Sequence, residues 1–105
     1  LQQQVAQVTV ADSVKAYILS IVSATRSMEE VTLGVSPRGS IALYKAAKAN
    51  AFMFERSYVT PGDVKAMAEC VLAHRILLSA KGKTVFGTPQ ACLASVLDRV
   101  AVPMG

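Results

Sequence analysis

Val14, Tyr17, Ile18, Ile21 and Val22 recur at intervals of three and four. That spacing gathers them into one apolar stripe and predicts a helix from Asp12 to Arg26. The same period returns after Pro61, in Val64, Met67, Ala68, Val71 and Leu72, and again after Pro89, in Leu93, Val96, Leu97 and Val100. Two further amphipathic helices are predicted there. The segment after Pro37 reads differently, because Ile41, Leu43, Tyr44, Ala46, Ala47, Ala49, Ala51, Phe52 and Phe54 leave only a narrow polar side at Lys45 and Lys48. It predicts a central helix buried nearly all round, whose alanines let neighbours approach and whose aromatics fill the ends.

The starts of these helices are marked chemically. Ser36-Pro37, Thr60-Pro61 and Thr88-Pro89 each set a hydroxyl before a proline. The hydroxyl can accept an otherwise unpaired first-turn N–H, and proline at the first helical position gives up an N–H that had no partner. Asp63 adds negative charge three residues after Thr60, where the helix dipole favours it. Val8-Thr9-Val10 and Tyr58-Val59 are short β-prone runs able to form a minimal pairing. Lys81 to Gly87 reads as a loop or short hairpin. The expected architecture is all-α: one domain over residues 1–105, with four helices and at most a two-strand pairing.

Composition supports a folded domain, since 52% of the 105 residues are hydrophobic and only 17% charged. The longest charge-free apolar stretches fall short of the roughly 18 residues of a membrane span, so none is expected. Leu1 to Gln4 hold no methionine and no signal-peptide plan, and the chain reads as part of a longer one. Cys70 and Cys92 lie in apolar helical patterns without metal or redox spacing, and are expected to be reduced, buried thiols of a cytoplasmic protein. The net charge of +4 comes from basic residues spread along the chain, which permits an anionic partner without pointing to nucleic acid.

Little here could catalyse a reaction. The single histidine, His74, reads as mid-helix beside Arg75, and no metal-ligand spacing, nucleophile elbow or phosphate loop is present. The informative stretch is Leu33 to Ser40, which puts Arg38 at the second position of the central helix. A cation beside the positive end of the helix dipole costs roughly 0.3–1 kcal/mol, whereas an anion there is favoured. Arg38 and the free N–H groups of that turn would together make a phosphate-sized anion site.

At this point the sequence resembles the lid domain of MoxR-type AAA+ ATPases, from Val8 to about Val102. The resemblance is carried by Val8-Thr9-Val10, Tyr17-Ile18, Ala24-Thr25-Arg26, Leu33-Gly34-Val35-Ser36-Pro37-Arg38 and Ala46-Ala47-Lys48-Ala49. It continues through Tyr58-Val59-Thr60-Pro61-Gly62-Asp63-Val64, Val71-Leu72-Ala73-His74-Arg75-Ile76 and Arg99-Val100-Ala101-Val102-Pro103. It implies a lid over ATP held by a preceding α/β core, with residues 1–8 as the linker from that core. Arg38 would be the sensor-2 arginine reaching the phosphates, with Ser36 and Pro37 setting the helix start, and His74 and Arg75 would do structural work. ATP and Mg would be bound by the whole protein, not by this chain alone. The partners implied are the core, neighbouring subunits of a ring of hexamer type and a von Willebrand factor A protein. Membrane and nucleic acid are not among them.

Two departures from the family pattern stand out. Ala11 replaces a polar helix cap, leaving Thr9 or Asp12 to serve, and Gly39 replaces an alanine at a helix-propensity cost below about 1 kcal/mol. The alternatives are a free-standing basic helical DNA-binding module, or the lid of a related AAA+ protein such as a magnesium chelatase subunit.

Overall fold

The computed structural model describes residues 7–103. Among these residues five α-helices follow one another: α1 (Asp12–Arg26), α2 (Pro37–Met53), α3 (Pro61–Leu72), α4 (Ala80–Val85) and α5 (Pro89–Arg99). A one-turn 3-10 segment, Ala73–Arg75, ends α3, and two short strands, β1 (Val31–Leu33) and β2 (Leu77–Leu78), pair antiparallel. Among the described residues no helix is long and apolar enough to cross a membrane.

The all-α expectation holds, and so do the bounds of the first helix. Its stripe of Val14, Tyr17, Ile18, Ile21 and Val22 is buried, as are Val64, Ala68 and Leu72 of α3 and Leu93 and Val96 of α5. The expected pairing of the two β-prone runs is a single parallel bridge: the Thr9 N–H donates to the Ser57 carbonyl and the Val59 N–H to the Thr9 carbonyl, both at 2.9 Å. Val8, at the end of the expected linker, is buried in the core, while residues 1–6 of that linker lie outside the described residues.

Several expectations need correction. Lys81 to Gly87 is neither loop nor hairpin but mostly α4, started by Ser79, whose hydroxyl accepts the Gly82 N–H at 3.1 Å. Gly82 helps the helix form here by letting it lie directly on Glu30, since a Cβ at this position would collide with the Glu30 carbonyl. The chain after Pro37 is helical but not buried all round. Only Gly39, Leu43, Ala47 and Ala51 are buried, a four-residue repeat that selects one face toward α3, and Ile41 and Phe54 are 55% and 66% exposed. Helix α1 starts at cap residue Ala11 with no side-chain cap bond, so Thr9 does not serve, and Asp12 contributes only its charge in the first turn. Cys92 is buried as expected, but Cys70 is exposed on the outer side of α3.

One buried ionic knot locks α2 to α3. Asp63 is 1% exposed, and its Oδ2 accepts the Thr60 N–H at 2.7 Å while the Thr60 hydroxyl accepts the Asp63 N–H, a reciprocal capping box. Its Oδ1 accepts from Asn50 Nδ2 of α2 at 2.8 Å and from the Arg56 guanidinium. The first-turn acid read from sequence thus also ties three segments together.

Candidate functional site: a helix start carrying an exposed arginine

The position of the α2 start is fixed by residues ahead of it. Thr25, in the last turn of α1, is fully buried; its hydroxyl donates to the Val22 carbonyl at 2.6 Å and accepts the Val35 N–H at 3.1 Å. Arg26 Nε donates to the Val35 carbonyl at 2.7 Å. Both polar groups of Val35, itself fully buried, are therefore held by consecutive side chains of α1, one residue before the cap. This clamp anchors the chain where it turns into α2.

Behind the clamp, packing sets the approach. A Cβ on Gly39 would collide with Val35 Cγ1 and stand 3.3 Å from Arg75 Cδ. An alanine here would have to displace Val35, a steric cost that stands beside the helix-propensity cost read from the sequence. Arg75 lies against the first turn of α2 while its Nε donates to the Val71 carbonyl at 3.2 Å. His74 is exposed and belongs to the 3-10 turn, not to the middle of a helix, because α3 ends at Leu72.

The α2 start itself is electrostatically open. Ser36 occupies the cap with extended backbone, but its side chain makes no cap hydrogen bond, contrary to the expectation from its hydroxyl. Pro37 brings no N–H, and the Gly39 N–H is bonded to the Ser36 carbonyl at 2.9 Å. Arg38 thus supplies the remaining N–H among the first three positions, together with an exposed guanidinium. Helices α3, α4 and α5 are closed by Thr60, Ser79 and Thr88, and α1 has Asp12. Among the five described α-helices, α2 alone begins with neither a side-chain cap nor an acid but with a cation. That combination suits a bound anion. No group of three or more potential metal ligands occurs among the described residues.

Ser36, Pro37 and Arg38 stand together at the α2 start because they are neighbours in the chain. Sequence spacing did not show that Thr25, Arg26, Gly39 and Arg75 support them. The quoted Ala24-Thr25-Arg26 run was the available signal, but a hydroxyl near a helix end most often bonds its own helix, and the second bond reaches ten residues on.

Comparison with known proteins gives this arrangement a family. Residues 23–91 match the AAA lid domain family. An uncharacterized protein of Bacillus subtilis, YeaC, is 43% identical over 104 residues, covering 99% of this chain and 32% of its own length. The chaperone MoxR1 of Mycobacterium tuberculosis is 32% identical over 112 residues, covering 98% of this chain and 30% of its own. The crystal structure of a presumed ATPase from Cytophaga hutchinsonii superposes with a TM-score of 0.89 at 28% identity, over 98% of this chain and 34% of that one. The chain spans about a third of the length of these relatives. The chain belongs to the AAA lid domain family, as a lid of the MoxR type.

Proposed function

We propose that this domain is the lid of an ATP-hydrolysing ring protein, in which Arg38 acts as the sensor-2 residue and meets the phosphates of ATP held by an α/β core. The carrying observation is the α2 start, which combines an exposed arginine with an uncapped helix end, while each of the other described helix starts has a side-chain cap or a first-turn acid. Left alone, the cation–dipole pairing costs a few tenths to about 1 kcal/mol; an anion between them adds an attraction to the guanidinium and another to the helix end, which together outweigh that cost. An arginine brought to a transferring phosphoryl group offsets its charge, so a lid bearing it ties lid position to nucleotide state.

In this reading Mg and the phosphate loop belong to the core, neighbouring subunits complete a ring of hexamer type, and lid movement drives chaperone-like remodelling of partner proteins in the cytoplasm. The MoxR1 relative is named a chaperone, which supports the remodelling role. Named MoxR relatives favour this branch over a magnesium chelatase, and family membership displaces the free-standing DNA-binding alternative. His74 and Arg75 serve structure, Arg75 by lying against the first turn of α2. A von Willebrand factor A protein is the partner class this reading implies.

The test is steady-state ATP hydrolysis by the full-length protein, wild type against Arg38→Ala, with nucleotide binding and assembly checked in both. A fall in turnover of about tenfold or more supports the reading, as expected when a developing charge loses one partner. Unchanged turnover rejects the sensor role and leaves only the lid assignment.

A further inference from the structure

The charge of this chain is spread along its sequence but not balanced element by element. Helices α1 and α2 carry Lys15, Arg26, Arg38, Lys45 and Lys48 against one acid, Asp12, which accounts for the whole net charge of +4; the remaining six basic and six acidic residues cancel. Helix α2 contains no acidic residue at all. Between these two helices lies an open groove of about 420 Å³ whose lining is almost wholly apolar. Buried Ile18 and half-buried Tyr44 form part of it, together with Leu19 and Ile41, which are 58% and 55% exposed. Lys15 and Lys45 border it with their aliphatic stems, one from each helix, so their charges belong to its edge and not to its apolar lining. Lys48 stands over the Tyr44 ring, 5.4 Å from its centroid, on the adjoining turn of α2.

We propose that this groove docks an amphipathic helix of a partner protein, with an apolar ridge flanked by acidic residues. The concavity and the apolar lining call for a ridge of side chains at helical spacing. The lysines, without an acid in the lining, call for glutamates or aspartates beside that ridge. A membrane surface is a poorer fit, because exposed Leu19 and Ile41 border a recess that buried Ile18 also lines, and a recess suits an inserted ridge better than a flat bilayer. The inference goes beyond the nucleotide reading: it concerns the side of α2 beyond Arg38 and does not depend on hydrolysis.

The probe is a synthetic 18-residue amphipathic helix with a leucine ridge and glutamate flanks, titrated into the 105-residue chain and into the full-length protein. Binding is followed by fluorescence anisotropy, and contacts in the chain by amide chemical shifts. The expected result is saturable binding to both, with shifts concentrated at Leu19, Ile41 and Tyr44. Charge reversal by Lys15→Glu with Lys45→Glu should weaken the peptide by about tenfold or more, and a lysine-flanked peptide should regain affinity for that variant while binding the wild type poorly. Both variants are checked for the native fold by circular dichroism, and Lys45→Gln alone should weaken binding by a smaller factor. Four results overturn the proposal. They are equal binding of glutamate- and lysine-flanked peptides; binding to the 105-residue chain that disappears in the full-length protein, which would make the groove an internal contact; self-association abolished by Ile41→Glu, which would make a second copy the occupant; and binding to anionic lipid vesicles in place of the peptide.

Discussion

At Gly39 two physical effects act in opposite directions. Helix propensity favours alanine over glycine by about 1 kcal/mol in a helix interior. Contact opposes it, because the added Cβ would collide with the side chain of Val35, which is fully buried and pinned at both its N–H and its carbonyl. Overpacking of a constrained site costs typically 1–3 kcal/mol, so Gly39→Ala is expected to lower stability in a urea melt; a gain would show that Val35 yields freely. Thr25→Val isolates the clamp. It keeps the shape of the side chain but leaves the buried Val35 N–H without its acceptor, at an expected cost of about 1–3 kcal/mol. These residues were nearly invisible in the sequence. Arg38 drew attention because a cation at a helix start is locally anomalous, whereas Thr25 reads as an ordinary helix-end hydroxyl and Gly39 only as a departure from the family's alanine until the packing partner is known.

At the scale of elements, the informative case is Asp63. Its spacing from Thr60 reads directly as a helix start, and the capping box agrees. The same carboxylate also accepts from Asn50 and Arg56, whose roles no local pattern indicates. Asp63→Ala is therefore expected to cost about 2–4 kcal/mol, more than the roughly 1 kcal/mol of a lost cap alone, because Asn50 and the partly buried Arg56 lose their acceptor as well. A loss near 1 kcal/mol in denaturant unfolding would reduce the knot to a simple cap. Amphipathic periodicity located α1, α3 and α5 well, since each buries one stripe. It misjudged α2, whose apolar residues outnumber its buried ones because Ile41 and Met53 are exposed. It missed α4, whose six residues are too few for a period to register and whose Lys, Gly and Thr composition reads as a turn. The β1–β2 pairing escaped for a similar reason, since neither strand exceeds three residues.

On the scale of the whole molecule, the two cysteines separate the surface from the core. Cys70 is exposed and should react rapidly with a thiol reagent under native conditions. Cys92 is fully buried, and burial pushes its thiol pKa up, which lowers its thiolate fraction; it should react only as the domain opens. Rapid modification of both would contradict the packing of α5. A second whole-molecule property was passed over by reading charge along the chain: counted helix by helix the excess positive charge resides on α1 and α2, and the fold adds that these two helices pack together, with the open α2 start among their members. The central claim is that this start, and not another face of the domain, meets the nucleotide. Amide hydrogen exchange across the full-length protein, with and without a slowly hydrolysed ATP analogue, tests it most directly. Increased protection over residues 36–41 in wild type, reduced in Arg38→Ala at saturating nucleotide, is the predicted result. Nucleotide-dependent protection elsewhere in the domain, with residues 36–41 unchanged, would contradict it.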